Sequence, residues 1–330
     1  MPGFLAGMER RKGRPVNVLI TGGFGCIGSY VIRDLLRAGE TAVVYDLLED
    51  HTIPRMVLTP QEIDQIRFVQ GDITDLPSIM RAVKVEKIDR IVHLASWQVP
   101  ACQANPAMAL RVVCEGTVNI FEAQRVFELP RLVWASSVAV FGSPADYGGN
   151  RVTNDDPHYP KFVYGACKSL CERYADHYFA EYGCDNIGLR FTSVYGVGRT
   201  RGMSSFTTKM IEAAAYGESY AVPFGDDIVD WQFVEDVATV VTTALAAATT
   251  RTRTFTVKGD YRSVQDGVDA VRALAPGADL SVEGGVFGIQ WDYDASALED
   301  ELGFVPAYGM EAGIQHTLDR FAELRPMLRP

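Results

Sequence analysis

With 330 residues, 47% of them hydrophobic and 22% charged, the chain has ample material for a sizeable core in one large domain or two coupled ones. Its formal charge of −11 argues against a nucleic-acid partner, because phosphate binding needs a basic face. No apolar run is long enough to span a bilayer, so no membrane partner is expected.

Residues 1–15 are expected to be a flexible leader. Its basic cluster, Glu9-Arg10-Arg11-Lys12-Gly13-Arg14, follows the short apolar start, the reverse of a secretory signal. Short β-branched runs then predict strands over residues 16–21, 41–45, 67–70, 88–94, 131–135 and 187–191. Helical stretches fill the gaps at 27–38, 76–83, 106–127 and 164–182. Strand–helix alternation predicts an α/β fold, a Rossmann-type doubly wound parallel sheet. Beyond residue 191 the alternation is expected to lapse into Gly-rich loops that build a smaller C-terminal substrate lobe. The division expected is a sheet domain over 16–185, with 225–250 returning to it, and a second, mainly substrate-binding lobe over 186–330.

The first strand runs into Thr21-Gly22-Gly23-Phe24-Gly25-Cys26-Ile27-Gly28 and then a helix. Glycines here permit a tight turn and a close backbone approach to phosphate. The first N–H groups of the helix, with its dipole, favour an anion. Strand before and helix after make Gly23-x-Gly25-x-x-Gly28 specific for a dinucleotide. Asp46, eighteen residues past Gly28, ends the second strand, where an acid hydrogen-bonds the adenine ribose. A carboxylate there repels a 2′-phosphate. No Arg or Lys lies in the turn or directly after Asp46, so the cofactor expected is NAD.

Tyr164 and Lys168 stand four apart and share a helix face. A nearby ammonium stabilises phenolate, which lets the tyrosine trade a proton with a substrate alcohol. Lys168 is also placed to hydrogen-bond the nicotinamide ribose. The pair follows the strand that carries Ser136 and Ser137 at its carboxyl end, the edge where open α/β sheets bind ligands.

These motifs resemble the extended short-chain dehydrogenase/reductases, the NAD-dependent epimerase/dehydratase family. The resemblance also takes in Gly71-Asp72-Ile73-Thr74-Asp75, His93-Leu94-Ala95, Gly116-Thr117-Val118-Asn119, residues 136–142, Leu189-Arg190-Phe191, Asp294-Ala295-Ser296 and Leu302-Gly303-Phe304-Val305-Pro306. It implies that Tyr164 is the acid/base, Lys168 its phenolate-stabilising partner, and Ser137 the hydroxyl that steadies the reacting oxygen. It further implies cofactor contacts at Gly22, Gly25, Cys26, Ile27, Asp46, Asp72, Ile73, Leu94, Ala95, Ser96, Tyr164, Lys168 and Val194. Such proteins often dimerise through the tyrosine helix and the long helix before it, so a homodimer is possible.

The other half of the site departs from the family. Val138 and Ala139 stand where its dehydratases carry an Asp-Glu pair, so elimination of water is not expected. Val229 occupies the position of an arginine that binds diphosphate in nucleotide-sugar members, with Asp226, Asp227 and Asp230 around it. Ser193 replaces a usual Asn, and Val113 another. A small-molecule substrate less charged than a nucleotide sugar is therefore expected. Trp97, Gln98, Cys102, Ser193, Tyr195 and Trp231 are candidates to line its pocket or to pack the core. Arg199 and Arg201 either meet a carboxylate or relocated phosphate or belong to a solvated loop. His93 is expected to be structural and His158 superficial. The six cysteines, Cys26, Cys102, Cys114, Cys167, Cys171 and Cys184, include no Cys-x-x-Cys pair. Free thiols in a reducing cytoplasm, with no metal, are expected. The function expected is NAD-dependent interconversion of a secondary alcohol and a ketone on a sugar-like or carbocyclic substrate. The alternatives are an NAD-retaining epimerase of the UDP-glucose 4-epimerase kind and a non-catalytic NAD sensor.

Overall fold

The computed structural model describes residues 14–149, 151–288 and 291–328. The expected leader lies almost wholly outside the described residues.

Strands β1 (Asn17–Thr21), β2 (Thr41–Asp46), β3 (Arg67–Gln70), β4 (Arg90–His93), β5 (Leu132–Ser137) and β6 (Asn186–Phe191) form one sheet. Three more short strands follow in β7 (Ser193–Tyr195), β8 (Tyr220–Val222) and β9 (Ile228–Phe233), then β10 (Thr254–Thr256), β11 (Asp260–Ser263) and β12 (Leu280–Val282). The large sheet has the order β10-β6-β5-β4-β1-β2-β3. Every pairing in it is parallel. The order reverses at β1 and β4, the topological switch point of a dinucleotide-binding fold. All carboxyl ends of the strands therefore open on one edge.

Among the described residues, eight helices of ten residues or more clothe the sheets. They are α1 (Cys26–Arg37), α2 (Leu76–Val85), α3 (Gly116–Val126), α4 (Val163–Tyr182), α5 (Phe206–Tyr216), α6 (Val234–Ala246), α7 (Val264–Leu274) and α8 (Met310–Leu328). Both faces of the large sheet are buried. Val18, Ile20, Ala42 and Val44 point into the core under α1 and α6, while Leu19, Val43, Tyr45 and Trp134 point into the core on the other side. Strands buried on both faces need continuous apolar runs, which β1 and β2 supply.

After residue 191 the strict alternation of strand and helix lapses as expected: β6 leads directly into β7, β8 into β9 and β10 into β11. β7, β8, β10 and β12 are three residues long and serve three different sheets, too short to show a period. One expectation needs correction. The stretch 106–127 is not one α-helix. Residues Leu110–Glu115 form a π-helical segment ahead of α3. The widened turn turns the Val113 carbonyl toward two donors, the Thr117 hydroxyl (2.6 Å) and the Cys171 thiol (3.4 Å). Helix α6 packs back on α1, tied by Arg33 to Glu235 (2.8 Å).

Candidate active site

The glycine turn connects β1 to α1. Gly22 has φ +68°, and a Cβ there would lie 2.7 Å from the Ala95 amide nitrogen at the end of β4. Only glycine lets the two strand ends approach this closely. Gly25 is the N-cap of α1 and offers no side chain to its first turn. The opening N–H groups of the helix are thus left for a ligand. A cradle of this shape fits the pyrophosphate of a dinucleotide.

The other expected cofactor residues follow along the same edge. Asp46 ends β2, where its carboxylate accepts the Leu47 amide (2.8 Å) and burial pushes its titration up. Past β3, the Asp72 carbonyl accepts the Tyr45 hydroxyl (3.0 Å), and the Ile73 carbonyl accepts Asn119 Nδ2 (3.0 Å). Past β4, Leu94 and Ala95 donate to the Thr21 carbonyl and hydroxyl (3.0 and 3.3 Å), and Ser96 follows them.

The catalytic candidates meet where β5 faces α4. Ser137 ends β5 partly exposed, and its Oγ accepts the Ala139 amide (3.2 Å). Tyr164 lies in the first turn of α4. Lys168, one turn on, is 1% exposed. Its Nζ donates to the Ala135 carbonyl (2.6 Å) and lies 5.8 Å from the centre of the Tyr164 ring. Gly165 permits this meeting, since a Cβ there would lie 2.0 Å from the Ala139 carbonyl oxygen. The start of α4 therefore rests on the turn that holds Ser137.

His93 is buried between the Thr21 hydroxyl (2.7 Å) and the Thr117 hydroxyl (3.1 Å). Burial, helped by the Lys168 charge, lowers its pKa to about 3, so a neutral ring joins β1, β4 and α3. His158 is not superficial. Its side chain is 10% exposed, its Nδ1 shares a hydrogen bond with Ser169 (2.7 Å), and Nε2 faces Glu172 (3.3 Å).

Sequence reasoning missed Glu172. It is nearly buried and accepts from Ser136 Oγ (2.6 Å), Arg190 Nε (2.9 Å) and Arg190 Nη2 (2.6 Å). Tyr164, Lys168 and Glu172 form one row at i, i+4 and i+8, and that spacing was the available signal.

The substrate candidates are not gathered in one place. Trp97 and Gln98 follow β4 at the open edge. Arg199 donates from Nη2 to Ser204 Oγ (3.2 Å), and a Cβ at Gly202 would lie 2.2 Å from Gln98 Oε1 and 3.0 Å from Arg199 Nη2. Gln98 and Arg199 are thus neighbours, while Arg201 is exposed beside them. Tyr195 and Trp231 instead pack edge to face in the C-terminal core. The Tyr195 hydroxyl donates to the Met310 carbonyl (3.1 Å), and Trp231 Nε1 donates to the Arg262 carbonyl (3.2 Å). Aromatic bulk there closes the interior rather than a pocket. Cys102 is likewise core, and burial pushes its thiol up to about 11. Ser193 and Val194 lie buried in β7.

Residues 18–257 match the NAD dependent epimerase/dehydratase family. The chain belongs to that family. It is accordingly an NAD-dependent enzyme of the extended short-chain dehydrogenase/reductase type. It is 29% identical over 240 residues to a UDP-glucose 4-epimerase of Lacticaseibacillus casei, spanning 68% of this chain and 70% of that one. It is also 29% identical over 229 residues to UDP-glucuronate 4-epimerase 6 of Arabidopsis thaliana, spanning 67% of this chain but 49% of the relative. Among solved structures, a UDP-glucose 4-epimerase of Thermus thermophilus in complex with NAD superposes with TM-score 0.79 at 26% identity, over 93% of this chain and 99% of that one. The L-threonine dehydrogenase of Clostridium difficile shares the fold, with TM-score 0.81 at 20% identity over 94% and 98% of the two chains.

Val229 is buried in β9, opposite Arg262 of β11. Asp226 and Asp227 accept the amides of Gly285 and Gly288 (2.7 Å each), so these acids brace the chain past β12. Asp230 is buried, accepts the Gly259 amide (2.8 Å), and is pushed up by burial to about 7.

Proposed function

We propose that this enzyme interconverts a secondary alcohol and a ketone on a sugar-like or carbocyclic small molecule. The observation that carries the reading is the meeting of Ser137, Tyr164 and Lys168 at the switch-point edge, beside a glycine cradle shaped for the dinucleotide. Bound NAD supplies a hydride acceptor. The protein does the rest. Ser137 Oγ orients the reacting oxygen, Tyr164 takes the alcohol proton as phenolate on oxidation and returns it from its hydroxyl on reduction, and Lys168 beside it stabilises the phenolate form. Val138 and Ala139, apolar beside Ser137, leave no carboxylate for dehydration there.

The buried Val229 and the acids near it support a substrate without a nucleoside diphosphate. Isothermal titration of the NAD-loaded protein with UDP and UDP-glucose tests this: no binding in the micromolar range is expected, and micromolar binding refutes it. The epimerase reading draws on the relatives named above. It differs in cofactor handling, because an epimerase re-reduces its own product and releases no net NADH. A panel of hydroxy substrates followed for net NADH separates the two.

We further propose a cytoplasmic location and pairing with a second copy. All six cysteines are free, which suits a reducing compartment, and no described helix is long and apolar enough to cross a membrane. Leu110, Leu170 and Tyr174 stay 40–54% exposed on helices packed together around α4, and pairing with a second copy would cover them.

A further inference from the structure

The loop after β7 belongs by sequence to the substrate half, yet it leans on the cofactor half. The Val197 carbonyl accepts the Tyr30 hydroxyl of α1 (3.2 Å) and faces Cys26 Sγ (3.8 Å), the first residue of that helix. A Cβ at Gly198 would lie 2.8 Å from Ile53 Cγ2 and 3.7 Å from Cys26 Sγ. Arg199 comes next. Its positive charge reaches Cys26, where it opposes the burial that pushes the thiol up to about 12.

The Arg199 guanidinium is under-used. It has one neutral partner, Ser204 Oγ, and its Nε is buried without an acceptor among the described residues. No carboxylate among the described residues pairs with it, although the chain carries 42 acids against 31 bases. A planar fork of donors held this way suits an oxyanion. The nearest anion that the fold calls for is the dinucleotide pyrophosphate at the start of α1. Residues 21–28 contain no Lys or Arg to neutralise it.

We propose that Arg199 closes over the NAD pyrophosphate from the C-terminal half and, with Gln98 beside it, clamps the cofactor against the start of α1. The glycine turn supplies backbone donors on one side, and Arg199 supplies the charge on the other. The clamp ties cofactor retention to the loop that also borders the substrate cleft. It is independent of which substrate is turned over. An oxyanion on the substrate is the other source of the same chemistry, and ADP-ribose distinguishes the two because it carries the pyrophosphate but neither nicotinamide nor substrate.

Calorimetric titration of the full-length protein with NAD and with ADP-ribose, in wild type, Arg199→Gln and Arg199→Lys, tests the clamp. Arg199→Gln should weaken both ligands about tenfold or more and flatten the salt dependence of ADP-ribose binding. Arg199→Lys, which keeps the charge, should recover most of the loss. Matching thermal melts of the ligand-free proteins exclude a folding defect. If Arg199→Gln binds ADP-ribose as tightly as wild type, the clamp is wrong, and a raised KM in that variant would assign Arg199 to a substrate anion instead.

Discussion

At the scale of single residues, the edge where β5 meets α4 depends on how two buried groups are received. The Ala135 carbonyl accepts Lys168 Nζ, and the neighbouring His93 stays neutral between two hydroxyls. Its pKa near 3, against about 6.5 in an unfolded chain, fixes the sign of a pH effect. Between those values the unfolded chain binds the extra proton. The contribution of His93 to stability is therefore complete above about pH 6.5 and is lost as pH falls toward about 3. The His93 imidazole resonance should stay at its neutral position from about pH 8 down to about pH 5 in an NMR titration, and a midpoint within that range would contradict the assignment. The placement of Ser137 at a strand end and of Tyr164 and Lys168 on one helix was legible in the sequence, because spacing along a helix and position at a strand end are local properties. Tyr195, Trp231 and Cys102 were not, since an aromatic or thiol that lines a pocket and one that fills a core look alike until the neighbours are known. His158 was misjudged for the same reason: only the fold brings Glu172 and Arg190 to it.

At the scale of elements, α4 is fastened to the sheet along one row. Lys168 grips β5 by its backbone, Glu172 joins Ser136 of β5 to Arg190 of β6, and Asn186 of β6 donates to the Ala175 carbonyl (3.0 Å). The row sets the start of α4 against the turn that follows Ser137, where a Cβ on Gly165 would lie 2.0 Å from the Ala139 carbonyl oxygen. Removing one partner of a buried ion pair leaves the other uncompensated, so Glu172→Ala should destabilise the protein by about 3–5 kcal/mol, read as a lower midpoint in urea denaturation. A change below about 0.5 kcal/mol, as for an ordinary surface site, would show that the row is not structural. The elements of the first half could be placed within a few residues from sequence, because strands buried on both faces carry long β-branched runs. β7, β8, β10 and β12 could not, since three residues hold no period. The π-helical segment at Leu110–Glu115 also left no trace in composition; it goes with a Val113 carbonyl shared between Thr117 and Cys171, a tertiary contact.

At the scale of the whole molecule, two halves of one cleft differ in how much the sequence discloses. The cofactor half follows from a parallel sheet with its switch point at β1 and β4, a topology that dictates where glycines and acids must stand. The half proposed to meet the substrate draws on β7, β9 and the loops around them, and its character depends on tertiary neighbours: Val229 is buried in β9, and Asp226 and Asp227 accept amides past β12. The central claim is that bound NAD is a reactant here, with Tyr164 moving the proton. The most direct measurement compares wild type with Tyr164→Phe, recording NAD affinity by calorimetry and cofactor reduction by absorbance on the same substrate. The account predicts equal NAD affinity and a loss of reduction of at least about 10²-fold in the variant. An unchanged rate of reduction would contradict it.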